Sequence, residues 1–194
     1  ILGNFITEEK VIRNSLIVDE GDPYNKILFD KSINKIKSRG IFKSVNSDII
    51  ESNINKNNKI INIKVEEKPT GEIFAGAGTG TSGSTITAGI KEKNYFGKGI
   101  SLNTNLTLSD DEIKGIFSAY NPNFRNTDRS LNTTLESTTS DFMTTSGYKT
   151  ARTGLKFGTG FEQYQDLFIN FDISNYYEKL ETSDKASAIK KKQE

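Results

Sequence analysis

Asp166-Leu167-Phe168-Ile169-Asn170-Phe171-Asp172-Ile173-Ser174 repeats with a period of two: Leu167, Ile169, Phe171 and Ile173 alternate with Phe168, Asn170, Asp172 and Ser174. Only a β-strand sends successive side chains to opposite faces in this way. Working backward through the chain, the pattern returns in segments of about ten residues separated by turns. These segments are residues 72–81, 85–94, 100–109, 113–121, 130–139 and 148–157, with 165–177 as the last. Strands of soluble domains usually run about five or six residues, whereas a tilted strand needs about nine to eleven to cross a bilayer. The lengths therefore predict part of an antiparallel transmembrane β-barrel of about seven strands.

The two faces differ in the way a barrel wall requires. Ile86, Ala88 and Ile90 share one face with Leu102, Leu106, Leu108, Phe117, Ala119, Leu131, Leu135, Leu155 and Phe157. The other face carries Asn103, Asn105, Asn132, Glu136, Arg152, Lys156, Asn170 and Asp172, too many polar groups for a dry core. Tyr176 and Tyr177 read as an aromatic girdle at the membrane boundary.

Composition excludes several classes of function. Lysine plus arginine number 26 against 25 aspartate plus glutamate, so no global charge points to nucleic acid. Cysteine and histidine are both absent, which removes disulfides, Ser-His-Asp and Cys-His catalysis and the usual zinc ligand sets. No enzyme activity, metal or cofactor is expected. Gly78-Thr79-Gly80-Thr81-Ser82-Gly83 matches the dinucleotide fingerprint, but that chemistry needs a helix to follow, and Thr85-Ile86-Thr87-Ala88-Gly89-Ile90 alternates as a strand. Residues 81–84 are read instead as a hairpin turn. Asp110-Asp111-Glu112 lacks calcium-loop spacing and reads as a solvated loop. Residues 185–194, with Lys190-Lys191-Lys192, read as a loop whose charge either is solvated or meets anionic headgroups.

Before about residue 68 the pattern is different. Ile1-Leu2-Gly3-Asn4 looks like the remnant of a strand, and Thr7 is an N-cap candidate for a short helix to about Ile17, with Glu8 and Glu9 in its first turn. A second helix is predicted from about Asn25 to Ser38, with Ile27, Leu28, Ile33 and Ile36 on its apolar stripe and Gly40 at its left-handed end. Strands follow at residues 42–50 and 59–67, joined by a polar turn at 53–58.

Glu20-Gly21-Asp22-Pro23-Tyr24, the lysine-rich helix, Arg39-Gly40-Ile41-Phe42-Lys43-Ser44-Val45 and Ile63-Lys64-Val65-Glu66-Glu67-Lys68 together resemble the last POTRA domain of the BamA family of outer-membrane β-barrel assembly factors. Thr70-Gly71, leading into a glycine-alternating strand, is similar to the start of that family's barrel. Asn94-Tyr95-Phe96-Gly97-Lys98-Gly99 and Asn121-Pro122-Asn123-Phe124 are similar to its first two periplasmic turns. The resemblance implies an α+β POTRA domain (β-α-α-β-β, first strand truncated) over residues 1–68 and the N-terminal part of a barrel over 69–194.

It further implies insertion of unfolded β-barrel clients into the outer membrane, alongside lipoproteins of the assembly machine and outer-membrane lipid, with the POTRA domain in the periplasm. Candidate residues for client pairing are Ile73, Ala75, Gly76, Ala77, Gly78, Thr79 and Gly80, acting through the backbone as a lateral gate. Asn94, Gly97, Gly99, Asn121 and Pro122 shape the turns. The family's barrel has about sixteen strands, so the chain is expected to be a piece of a longer one. Alternatives with the same plan are a TamA-type factor or a two-partner secretion transporter; one of another class is a soluble ligand-binding barrel, whose apolar residues would fill the inside of the sheet.

Overall fold

The computed structural model describes residues 1–52, 58–80, 83–164 and 167–193. They form two compact units, one of residues 1–71, 92–101 and 121–128, the other of residues 72–91, 102–120 and 129–194.

The first unit holds helices α1 (Glu9–Arg13) and α2 (Lys26–Ser38) and strands β1 (Phe42–Glu51) and β2 (Lys59–Glu67). β1 and β2 pair antiparallel, Val45 opposite Val65 and Ser47 opposite Ile63. Leu2 bridges parallel to Lys64, its amide donating to Ile63 O at 2.9 Å and its carbonyl accepting from Val65 N at 2.9 Å. Those two bonds tie Leu2 to β2.

α2 starts where Asn25 Oδ1 accepts from the amides of Ile27 and Leu28 at 2.9 and 3.2 Å, as an N-cap asparagine does. It ends at Gly40, whose φ of 68° suits a residue without a Cβ. Its buried stripe is Phe29, Ser32, Ile33 and Ile36; Ile27 lies outside it and stays exposed. The expected stripe left out Phe29 and Ser32: lying four residues before Ile33 and Ile36 respectively, they share that face, and Phe29 packs in the same core. α1 also differs from expectation. It is only five residues long with Glu8 at its N-cap, and no side chain caps it. Thr7 is buried and engaged elsewhere.

Val11, Ile12, Phe29, Ile33, Ile36, Ile41, Phe42, Val45, Ile63 and Val65 form one core. Among the described residues, every buried apolar side chain except Ala186 belongs to it. The expected turn at residues 53–58 falls largely outside the described residues.

The second unit is built on a single sheet of seven strands in chain order. These are β3 (Gly71–Gly80), β4 (Gly83–Tyr95), β5 (Ile100–Ser109), β6 (Glu112–Asn121), β7 (Arg129–Phe142), β8 (Tyr148–Tyr164) and β9 (Leu167–Thr182). The expected hairpin turn at 81–84 and the start of the last strand at 165–166 touch residues outside those described. β4 begins directly at Gly83, so a strand, not a helix, follows the glycine fingerprint. Asp110 and Asp111 form the two-residue link between β5 and β6, and Ser109 Oγ accepts from Glu112 N at 3.1 Å.

β7, β8 and β9 run to 14, 17 and 16 residues, longer than the sequence suggested. Gly158 and Gly160, beyond the expected strand end at residue 157, lie inside β8. A Cβ on Gly158 would sit 2.2 Å from Asp172 Oδ1, and one on Gly160 would sit 2.1 Å from Asn170 Oδ1. The glycines make room for polar side chains of the neighbouring strand. Gly154 does the same for the Tyr176 ring.

Register sorts the faces. Leu135 opposes Leu155, Phe157 opposes Ile173 and Thr159 opposes Phe171, while Asn132 and Asp172 both oppose Gly158. The apolar face is bare: Phe171 is 60% exposed and Ile173 77%. The polar face carries ion pairs Lys156–Asp172 at 3.4 Å and Lys114–Glu136 at 3.0 Å. Asn103 Oδ1 and Asn105 Oδ1 are buried without a partner among the described residues. Tyr177 lies on the apolar face opposite Thr153, but Tyr176 opposes Gly154 on the polar face, where Arg152 stacks 3.9 Å from its ring centroid. The girdle expected of both tyrosines therefore rests on Tyr177 alone. Residues Ala188–Gln193 form a short helix, α3, where a loop was expected; the Lys190 amide reaches Ser187 Oγ at 3.4 Å and Lys191 Nζ reaches Asp184 O at 3.1 Å.

Two substitutions separate these kinds of packing. Ile36→Ala, in the closed core, is expected to cost about 2 to 5 kcal/mol of unfolding free energy. Ile173→Arg should cost about 2 to 4 kcal/mol in lipid, as a charge on a bilayer-facing strand does, while Asp172→Asn on the opposite face stays close to neutral. Denaturant unfolding of the full-length protein in liposomes measures all three.

Candidate functional site

β3 is an edge strand: among the described residues it pairs with β4 alone. Ile73 is 82% exposed, and Ala75, Gly76, Ala77, Gly78, Thr79 and Gly80 are all exposed as well. Among the described residues a Cβ added at Gly76, Gly78 or Gly80 would meet nothing within 4 Å, and none of the three has positive φ. Neither packing among the described residues nor backbone conformation requires glycine there. Gly89 on β4 is the contrast, since its missing Cβ leaves room for the Phe74 ring at 2.4 Å, over which Lys91 places its ammonium 4.8 Å from the centroid. The glycine run strips one face of β3 of side-chain contacts and lowers its intrinsic preference for the strand.

The turn residues assemble separately, within the first unit. Asn94 is buried and acts as a hub: its Nδ2 donates to Thr7 Oγ1 at 2.9 Å and its Oδ1 accepts from Gly99 N at 2.8 Å. Glu8 N donates to Gly97 O at 2.8 Å. Gly97 has φ of 72°, and a Cβ on it would sit 2.0 Å from the Ile6 carbonyl oxygen, so conformation and contact both demand glycine. Gly99, at φ 64°, lies against Val11. In the second turn Asn121 Oδ1 accepts from Asn123 N at 3.1 Å, bracketing Pro122. Asn123 Oδ1 in turn accepts from Arg39 Nη2, and Arg39 Nε donates to the fully buried Ser15 Oγ at 2.6 Å.

Glu67 holds the other side of this joint. Its carboxylate accepts from the successive amides of Phe5, Ile6 and Thr7 at 3.0, 2.9 and 2.6 Å. Burial pushes the carboxyl pKa up, but hydrogen bonds from Thr7 and from the three amides outweigh it and hold it below the ordinary glutamate value. Thr7, Arg39, Glu67 and Asn123 escaped sequence reasoning as members of one site. Their partners lie from 24 to 87 residues away, and no short motif encodes such pairs.

An α+β unit of POTRA form joined to an antiparallel sheet with one bare apolar face is the plan of an outer-membrane β-barrel protein. The POTRA family model, described as a surface antigen variable number repeat, matches residues 1–68, and the Omp85 superfamily domain matches residues 94–194. The chain belongs to the Omp85 superfamily of outer-membrane proteins with periplasmic POTRA domains. It is 27% identical over 125 residues to the outer membrane protein assembly factor BamA of Neisseria meningitidis serogroup B, a match covering 64% of this chain and 16% of that relative. The structure of Haemophilus ducreyi BamA lacking POTRA domains 1–3 superposes with a TM-score of 0.78 at 23% identity, covering 93% of this chain and 35% of that one. CdiB from Acinetobacter baumannii superposes with a TM-score of 0.61 at 12% identity, over 90% of this chain and 36% of that one. The soluble-barrel alternative falls with these matches and with the bare apolar face of the sheet.

Because the folded pKa of Glu67 is depressed, its contribution to stability is complete above the ordinary glutamate range and is lost as pH falls through the lowered value. Hydrogen exchange at the Phe5, Ile6 and Thr7 amides should accelerate across that window, and Glu67→Gln should flatten the acid dependence. Asn94→Ala, which strands the Thr7 hydroxyl and the Gly99 amide, is expected to cost about 1 to 3 kcal/mol by denaturant unfolding.

Proposed function

We propose that this chain is the last POTRA domain and the first barrel strands of a BamA-type assembly factor, which folds and inserts β-barrel clients into the outer membrane. The observation that carries the reading is the glycine run of β3, which answers to no packing or conformational need among the described residues. An unpaired edge in hydrocarbon is costly, and small residues let it exchange partners. The row of backbone donors and acceptors from Ile73 to Gly80 offers a template on which an incoming strand adds by β-augmentation. Covalent catalysis and nucleotide energy play no part in this scheme; client strand pairing replaces the pairing lost when the gate opens. Assembly lipoproteins and lipid are the expected partners.

A two-partner secretion role is the second reading, favoured by the likeness to CdiB. A single cysteine at Ala77, cross-linked in the full-length protein to a cysteine on the strand that closes the barrel, tests both. Insertion of a β-barrel client should stop under oxidation and resume on reduction. Undiminished insertion with the edge sealed contradicts the gate role, and loss of passenger export in its place favours the second reading.

A further inference from the structure

Within the first compact unit, helix α1 and the two turns line a cavity of about 190 Å3. Lys10, Arg39, Lys98 and Arg125 line it with Asn14 and Asn126, and none of the described residues that line it is acidic. In a chain whose 26 basic residues nearly equal its 25 acidic ones, four cationic side chains line one small space; Glu8 pairs with Lys10 from beside it, and with no carboxylate among the described lining residues the field there is positive. Like charges converge at a cost that a bound anion relieves.

The walls are held in place. Arg39 is fixed by Ser15 and Asn123, and Lys10 is steadied from outside the cavity by Glu8. At the lip, Arg125 and Asn126 both take left-handed backbone, φ 54° and 59°, a region that non-glycine residues enter only under local constraint and that clusters where ligands are clamped. Guanidinium and ammonium groups, with asparagine amides beside them, are the donor set that phosphate oxygens accept from.

We propose that this cavity binds a phosphate group, with Lys98 and Arg125 as the principal ligands and Asn14 and Asn126 as neutral donors. In an outer-membrane protein that phosphate comes either from a phospholipid headgroup at the periplasmic boundary or from free phosphate in the periplasm. The inference does not depend on the assembly role and holds equally for a secretion pore.

Calorimetric titration of the full-length protein in neutral detergent, at constant ionic strength, tests it with two probes: inorganic phosphate and short-chain phosphatidylglycerol. Saturable binding is expected, weakened about tenfold or more by the pair K98E/R125E, because charge-assisted contacts are lost and reversed. The pair K98R/R125K should retain binding, and K35E/K37E on α2, outside the cavity, should leave it unchanged. Binding of both probes with mutual competition assigns the site to phosphate as a group; binding of the lipid alone assigns it to the headgroup, and of phosphate alone to the free anion. Absence of saturable binding of either probe to the unaltered protein overturns the proposal, a result independent of whether any variant folds. Equal weakening by K35E/K37E also overturns it, since the attraction would then be diffuse.

Discussion

In hydrocarbon a peptide group has no water to bond, so each strand that enters a bilayer must have its amides and carbonyls satisfied by neighbouring strands. That requirement organises the larger part of this chain. Seven consecutive strands pair each with the next, and the side chains are left to sort by solvent alone. The result is a sheet with no buried apolar side chain among its described strand residues: Leu135, Phe157, Phe171 and Ile173 are bare on one side, while the other side carries ion pairs, stacked Arg152 and orphaned asparagine oxygens. Such a sheet is unstable in water by itself and suited to a wall between lipid and an aqueous lumen.

The POTRA domain solves the opposite problem. It buries Ile12, Ile36 and Ile41 in a closed core and spends its polar groups on a joint. Asn94, Thr7 and Glu67 form a chain of hydrogen bonds in which each buried group has a partner, so the joint adds specificity of fit without leaving desolvated polar atoms. Arg39 plays the equivalent part for the second turn. The turns at residues 92–101 and 121–128 thus belong to the same compact unit as the POTRA domain.

Local patterns were legible in the sequence and long-range partners were not. Period-two alternation located all seven strands, and Asn25 and Gly40 delimited α2, because a cap or a pleat is decided within a few residues. The expected strand stopped at residue 157, short of the end of β8 at Tyr164; only the register shows that Asp172 and Asn170 occupy the space above Gly158 and Gly160. Thr7 was assigned to a helix cap by its neighbours Glu8 and Glu9, and tertiary contact with Asn94 overrode that local preference. The lysine tail, read as loop, folds into α3. Of the turn site, the glycines could be named from sequence since they answer to backbone conformation, whereas Glu67 and Arg39 gain their roles only through distant partners.

The central claim is that the apolar side of the sheet meets lipid tails and the polar side meets water. Spin labels placed one at a time along Ile169, Asn170, Phe171, Asp172 and Ile173 of the full-length protein in liposomes, read by collisional relaxation with oxygen and with a water-soluble nickel complex, test it most directly. The account predicts oxygen contact at 169, 171 and 173 and nickel contact at 170 and 172, alternating along the strand. Uniformly low access of both reagents at 169, 171 and 173, as in a closed protein core, would contradict it.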